Sequence, residues 1–403
     1  MNVCIHKDLL GSDLYLVSDS DGFRWSSSIP HDYWLCGRSD DYARSIDLLA
    51  SAAGVDLRIE PSSSYSKMWS SLRECGTMGV PLRHALAGDV FCAHIKQLLA
   101  QIHELLCDYH DTYYTREFVT IRQFLQGLER CKIDKKGVYK ILDDDSERDG
   151  SLRSFLPDQR GFIRKPVYSQ ISSCSGRLTV TEGPSILTLR KDRRHLIKSS
   201  SPTGSIVQVD FVSLEPRVAL SVAGRESQGD IYEMVRQDVL GGIASRNVAK
   251  VATIGSLYGM SSRKLSEILG DISASEAVKI LKTIRDYFRI SGLEKRLKLE
   301  ASKGGSIKSH YGRAMNVEDV SGHVLVNRFV QSTAADAAIL GFSNLVNNIR
   351  ERGIDIKPIF VIHDALILDI EKRDLDQFFE IASKNIILPR LIGSFPVSSE
   401  IIS

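Results

Sequence analysis

The sequence predicts an α+β fold, and three observations predict it. Helical patterns come first along the chain. From about residue 165, short strand-like runs and helices are mixed. The two most hydrophobic runs, SIVQVDF (205–211) and PIFVIHDALILDI (358–370), stand far apart instead of alternating with helices as a βαβ array would require. With 403 residues, 43% of them apolar, the chain can form two or three structural units around a sizeable core.

Taken in order, residues 1–60 hold short apolar pieces and a serine patch, WSSSIP, without a clear period. PSSSYS (61–66) reads as a linker. Phe91, Ile95, Leu98, Ile102 and Leu105 then recur at alternating spacings of four and three, the apolar seam of a long helix. A second helix is expected over REFVTIRQFLQGLERCKI (116–133), and the serine- and charge-rich piece 143–160 reads as an exposed connection. Beyond it SIVQVDF reads as a strand and RNVAKVATIGSLYGMS (246–261) as a helix. VIHDALILDI (361–370) reads as a strand buried on both faces, with a histidine and an aspartate in its middle. No internal repeat is present.

Lys and Arg total 52 against 50 Asp and Glu, a net charge of +2, so any basic surface must be local. The seven cysteines form no C-x-x-C pair and are odd in number, which points to free thiols in a reducing compartment and away from a zinc site. No signal-peptide pattern or membrane-length apolar run is visible, so a soluble intracellular protein is expected.

The chemistry starts at Asp364. A lone ionised carboxylate in an apolar strand costs several kcal/mol, about 3–5, unless something pairs with it. Asp210 sits in a similar setting at the end of SIVQVDF, followed by Glu215 and Arg217. If the two strands are neighbours, two carboxylates converge where two divalent cations can bridge them, and magnesium needs few carboxylates. Taken alone, these residues fit two unrelated strand ends more simply. Between them, Arg246, Lys250, Ile254 and Tyr258 recur every four residues, placing two cations, an apolar residue and an aromatic on one helical face. Such a stripe can grip a triphosphate and stack near a base; it also fits an ordinary amphipathic helix with solvated cations.

These segments resemble the motifs of the family A DNA polymerases, the DNA polymerase I family. DFVSLEPR (210–217) resembles the first palm motif, D-Y-S-Q-I-E-L-R, and VIHDA (361–365) the second, V-H-D-E. RNVAKVATIGSLYG resembles the fingers helix R-R-x-A-K-x-x-N-F-G-x-x-Y-G. Weaker matches lie in the order the family has them: YSQISSCSGRL (168–178), TLRKDRRHLIKSS (188–200), GGSIKSHYGR (304–313) and NRFVQSTAADAAI (327–339). The resemblance spans about residues 160 to 375.

The resemblance implies a right-hand polymerase with an antiparallel palm sheet, helical fingers and a helical thumb. It divides the chain into an N-terminal region without an assigned role (1–60), thumb (61–160), first palm part (161–230), fingers (231–304) and second palm part (305–403). Asp210, Asp364 and the Phe211 carbonyl are implied to hold two Mg²⁺ ions, for which Mn²⁺ can substitute. Arg246 and Lys250 are implied to bind the triphosphate, with Lys250 also a general acid. Tyr258 takes the templating position, Ile254 packs near the sugar, and Glu215 excludes a 2′-hydroxyl. Arg177 and Gln331 are implied to reach the minor groove, where every base pair offers an acceptor, and Asn327 is a minor-groove or palm candidate. His363 supports the primer terminus, and Arg190, Arg193 and Arg194 contact phosphates. The implied partners are primer–template DNA and deoxynucleoside triphosphates, with a processivity or replication partner docking on residues 1–60. A role in DNA replication or repair, in a bacterial cytoplasm or an infected host cell, fits a bacterial, phage or viral source.

Several positions depart from the family pattern: Ile254 for an aromatic, Ala365 for a glutamate, His323 for an arginine, Tyr232 for a histidine, and Pro216 after the glutamate. None removes a metal ligand or the lysine. Two other functions compete. A non-catalytic or specialised nucleic-acid-binding relative has no need for Asp210, Lys250 and Asp364 together, and RNA synthesis is opposed by Glu215. The residues ahead of the first motif are too few for both a thumb and a proofreading exonuclease, and Asp19 and Asp21 in SDSDG read as a turn.

Overall fold

The computed structural model describes residues 2–37, 42–57, 82–110, 113–143, 150–270, 272–317 and 320–403. The chain forms two compact units, 1–126 and 127–403.

In the first unit, strands β1 (Val3–Ile5), β2 (Tyr15–Asp19), β3 (Gly22–Ser26) and β4 (Trp34–Cys36) form one sheet in the order β3-β2-β1-β4. β1 pairs parallel with β4 and antiparallel with β2. No period was legible here because β1 and β4 have three residues each, all buried, and alternation cannot show in three residues. Helix α1 (Ile46–Ala53) starts at Ser45, whose hydroxyl accepts from the Leu48 amide, and ends at Gly54 in the left-handed region. The expected long helix is α2 (Gly88–His110), which buries Ile95, Leu98, Ile102 and Leu105. Helix α3 (Tyr113–Gln126) stops short of the expected Ile133. Gly127 follows its end, and Lys132–Ile133 instead pairs as a strand with Ile197–Lys198. The linker reading at 61–66 lies outside the described residues.

In the second unit, residues 150–155 correct the reading of 143–160 as an exposed connection. They form a 3₁₀ turn that fully buries Leu152 and Phe155, since residues three apart eclipse in that geometry. The central sheet has strands β5 (Gly204–Phe211), β6 (Ile356–Ile362), β7 (Ala365–Glu371) and β8 (Val397–Ile401) in the order β6-β7-β5-β8, all neighbours antiparallel. Ile206, Val207 and Val209 of β5 are fully buried, each contributing about 1.5–3 kcal/mol. The reading of residues 361–370 as one strand is corrected too. Ile362 pairs with Ala365, so His363 and Asp364 form a two-residue hairpin turn between β6 and β7.

Helix α4 (Leu214–Val222) follows β5 directly, helix α5 (Arg246–Leu257) lies further on, and the long helix α6 (Gly322–Glu351) is buried along most of its length. Phe342 of α6 stacks obliquely on Phe211, with ring centroids 5.1 Å apart. Gly341 permits that approach: a β-carbon there would stand 2.7 Å from both the Phe211 ring and Leu388. Around α5, Ala249, Ala252 and Leu257 join Ile284, Phe329 and Val330 in a separate apolar cluster. Among the described residues, no helix is long and apolar enough to cross a membrane. Cys4, Cys36, Cys92, Cys107, Cys131 and Cys174 are all free thiols, and Cys75 lies outside the described residues.

Candidate active site

Asp210 is the penultimate residue of β5 and lies opposite Ala365 in the antiparallel register. The Phe211 amide donates to the Asp364 carbonyl at 3.0 Å, which fixes the end of β5 against the hairpin turn. The two aspartates sought from the sequence therefore meet at the same end of neighbouring strands. Both are part-buried, and among the described residues neither makes a salt bridge. Burial, then the Asp364 charge, pushes the Asp210 carboxyl up to about 6 against the pull of Arg194 and Lys191. Burial also raises Asp364, with Glu215 adding to the effect. Two part-buried carboxylates with raised pKa values, and no cationic partner in contact among the described residues, suit divalent cations, which offset the cost of their charge. Among the described residues, no cluster of three or more His, Cys, Asp or Glu side chains stands ready for a metal.

Asp364 is not inside a strand but at the tip of a hairpin, facing the end of β5. His363 takes the left-handed conformation, φ 55°, at the first turn position. Burial and the Arg177 charge hold its imidazole below the ordinary histidine range. The hairpin is braced from behind by Tyr168, whose buried hydroxyl accepts from the Val361 amide at 3.0 Å and donates to the Val361 carbonyl at 2.8 Å.

After β5 the chain turns through Ser213, also left-handed at φ 58°, into α4. Pro216 sits in the first turn of α4, where an amide has no intrahelical acceptor, so it does not disturb the helix. Glu215 faces a small pocket lined by Arg177, Gln331, His363 and Asp364. Arg177 donates to one of its oxygens at 2.6 Å and the Tyr258 hydroxyl donates to the other. Burial, then the hydrogen bond to Glu215, pushes the Tyr258 phenol up to about 12. Tyr258 caps α5 and Glu215 lies on α4, so one carboxylate ties the two helices at the pocket.

The helix stripe is present as expected. Arg246 and Lys250 are exposed on α5, and Ile254 is half-buried. Arg246 is held by Asp230 at 2.7 Å, and both cations lie over the Tyr232 ring, at 5.6 Å and 6.0 Å from its centroid. Gln331 and Asn327 lie on α6, and only Gln331 lines the pocket. The basic stretch folds as a short 3₁₀ segment with its cations engaged. Arg190 pairs with Asp192 at 2.9 Å, Lys191 with Glu400 at 3.0 Å, and Arg194 donates to Gln208 at 2.6 Å. Arg193 stands 3.7 Å from Asp192. The exposed Arg190–Asp192 and Lys191–Glu400 pairs are worth about 0–1 kcal/mol each.

The sequence named Arg217 but gave it no role. Only 1% exposed, it donates to the carbonyls of Val212 at 2.8 Å, Ser394 at 2.9 Å and Gly229 at 2.5 Å. One guanidinium thus joins the loop after Asp210, a distant C-terminal loop and the residue before Asp230, the partner of Arg246. A cation among apolar neighbours in PRVALSV was the available signal.

A family model described as DNA polymerase family A matches residues 152–391. The DNA polymerase I of Aquifex aeolicus is 26% identical over 241 residues, covering 55% of this chain and 41% of that protein. A DNA polymerase of Bacillus phage SP01 is 25% identical over 209 residues, covering 45% of this chain and 22% of that one. The chain thus spans less than half the length of either relative. Among solved structures, the POL domain of Pol1 from M. smegmatis, in complex with DNA primer-template and dNTP, superposes with a TM-score of 0.60. It is 14% identical, and the match covers 96% of this chain and 92% of that one, a likeness of fold.

Proposed function

Because the chain belongs to DNA polymerase family A, we propose that it adds deoxynucleotides to a primer 3′-end on a DNA template by two-metal nucleotidyl transfer, without proofreading. The observation that carries this is the meeting of Asp210 and Asp364 at adjacent strand ends, part-buried and without a salt bridge. These carboxylates and the Phe211 carbonyl would hold two Mg²⁺ ions, or Mn²⁺ in their place. When bound, the ions favour ionisation of the primer hydroxyl and stabilise the leaving pyrophosphate.

The chain's own groups do the rest. Arg246 exchanges Asp230 for the incoming triphosphate, beside Lys250, whose ammonium also donates a proton to the departing pyrophosphate. Glu215, clamped by Arg177 and Tyr258, stands under the sugar and collides with a 2′-hydroxyl. Tyr258 stacks at the templating position, and Ile254 packs on the sugar with less surface than an aromatic provides. Arg177, Gln331 and Asn327 donate into the minor groove and His363 backs the primer terminus. Arg190, Arg193 and Arg194 turn to DNA phosphates. On this reading 161–230 and 305–403 form the palm, 231–304 the fingers and 61–160 the thumb. Residues 1–60 are left to a processivity or replication partner.

Asp19 supports the absence of proofreading by this chain. Its carboxylate is engaged within the protein, accepting from Tyr33 at 2.7 Å, Arg24 at 3.1 Å and the Asp21 amide at 2.9 Å. That is the turn read from SDSDG.

The test is primer extension with Mg²⁺ and deoxynucleotides. Asp210→Ala and Asp364→Ala abolish extension while primer–template affinity stays within about threefold, since phosphate contacts dominate binding. A variant that extends like the wild type refutes the assignment. If the wild-type protein binds DNA but does not extend, the non-catalytic reading replaces this one.

A further inference from the structure

We propose that the buried Arg313–Asp336 pair is a positioning clamp that sets Arg177 against Glu215, an inference that rests on the polymerase reading for its functional consequence. Asp336 projects from α6 and is 1% exposed; Arg313 follows the strand turn at 309–312 and is 3% exposed. The guanidinium grips the carboxylate with two parallel bonds, Nη2 to Oδ1 at 2.5 Å and Nε to Oδ2 at 3.2 Å. Its remaining Nη1 donates at 3.2 Å to the carbonyl of Gln170.

Gln170 and Gly176 belong to the loop that ends in Arg177. Gly176 has φ 68°, and a β-carbon on it would stand 2.5 Å from Arg313 Nε. The Arg313 side chain therefore packs closely on the loop backbone, at the one loop residue without a side chain to hold it off. Arg313 touches the loop at both ends, and the next residue, Arg177, reaches Glu215 at 2.6 Å. Asp336 also lies on the helix that supplies Gln331 to the same pocket. The clamp thus registers the Arg177 loop on the helix that forms the opposite wall.

A stabilising role alone explains this arrangement poorly. Burying two charges costs about as much as their attraction returns, and an apolar pair of similar volume would serve the fold as well. What an apolar pair lacks is the third donor aimed at Gln170 beside the close contact at Gly176. Lysine keeps the charge but not the rigid fork that holds all three bonds at once.

Two measurements test the clamp. Amide hydrogen exchange on the DNA-free protein follows segment 170–177 in the wild type, Arg313→Lys and Asp336→Asn. Faster exchange confined to this segment, with β5 and β7 unchanged, is expected. Unchanged exchange there, or loosening spread through the sheet, overturns the proposal. Steady-state extension then places Arg313→Lys and Arg177→Ala in a double-mutant cycle. Each single change lowers kcat/KM for the incoming deoxynucleotide by about tenfold or more, and the double variant stays within about twofold of Arg177→Ala. Multiplying losses mean that Arg313 acts by another route. If Arg313→Lys does not fold, the isosteric Asp336→Asn takes its place in the cycle. A wild-type protein inactive in extension sinks the polymerase reading alone, because the exchange experiment still judges the clamp.

Discussion

Glu215 has no exposed oxygen left unbonded: Arg177 takes one and Tyr258 the other. That clamp makes the carboxylate a fixed wall, and a fixed wall discriminates by collision. Glu215→Ala is expected to raise ribonucleotide use relative to deoxyribonucleotide by about tenfold or more in competitive extension; an unchanged ratio places the sugar gate elsewhere. Asp210 gives a prediction of a different kind. Its folded carboxyl titrates at about 6, above the ordinary 3.8, so its charge weakens the cation-free fold. The penalty is full above pH 6, shrinks between 6 and 3.8, and vanishes below. Asp210→Asn should therefore stabilise the protein in chelator at pH 7.5 by about 1 kcal/mol after solvent screening, and progressively less below pH 6. Urea denaturation at the two pH values checks this, and a gain independent of pH contradicts it. At this scale the sequence was informative where chemistry forces a residue type, as for the two aspartates. It gave no role to Arg217 or to the Arg313–Asp336 pair, because partners distant in the chain decide what a buried cation touches.

Among the elements, the hairpin β6–β7 carries most of the geometry. It was read as one strand because His363 and Asp364 interrupt nine or more apolar neighbours without the Gly or Asn that ordinarily marks a two-residue turn. The structure supplies the missing conformation from His363 itself, at φ 55°. A β-branched residue cannot share that backbone, so His363→Val should lose about 1–2 kcal/mol, while His363→Gly stays within about 0.5 kcal/mol of the wild type. Chemical denaturation distinguishes them, and equal losses would mean that packing, not backbone, holds the turn. By contrast α2 was legible throughout, since four buried positions at helical spacing leave no competing element. Its neighbour α3 was overextended because an apolar pattern does not reveal where a glycine ends it.

For the molecule as a whole, the small net charge means that the proposed DNA affinity rests on a local set of cations already paired within the protein. High salt loosens those pairs, but counterion release on binding phosphates favours low salt and outweighs it, so affinity should fall by about tenfold or more from 50 to 200 mM salt; fluorescence titration would show a flat profile if the basic stretch were idle. The purified chain should also leave a mismatched primer 3′-end intact with Mg²⁺ and no nucleotides. Shortening that depends on Asp19 would overturn that expectation, whereas shortening that needs pyrophosphate and Asp210 is the forward reaction reversed. The arrangement of the central sheet carries one more consequence. Strand β5, which delivers Asp210, finds its two neighbours only at residues 365–371 and 397–401. During synthesis it leaves the ribosome with both edges bare and apolar, and waits for most of the remaining chain to be made. Such long-range pairing folds slowly and invites aggregation in the interval. Production should therefore be limited by the fate of this nascent strand, so that slower synthesis in the cold or a chaperone that shields β5 raises the soluble yield without altering the finished protein.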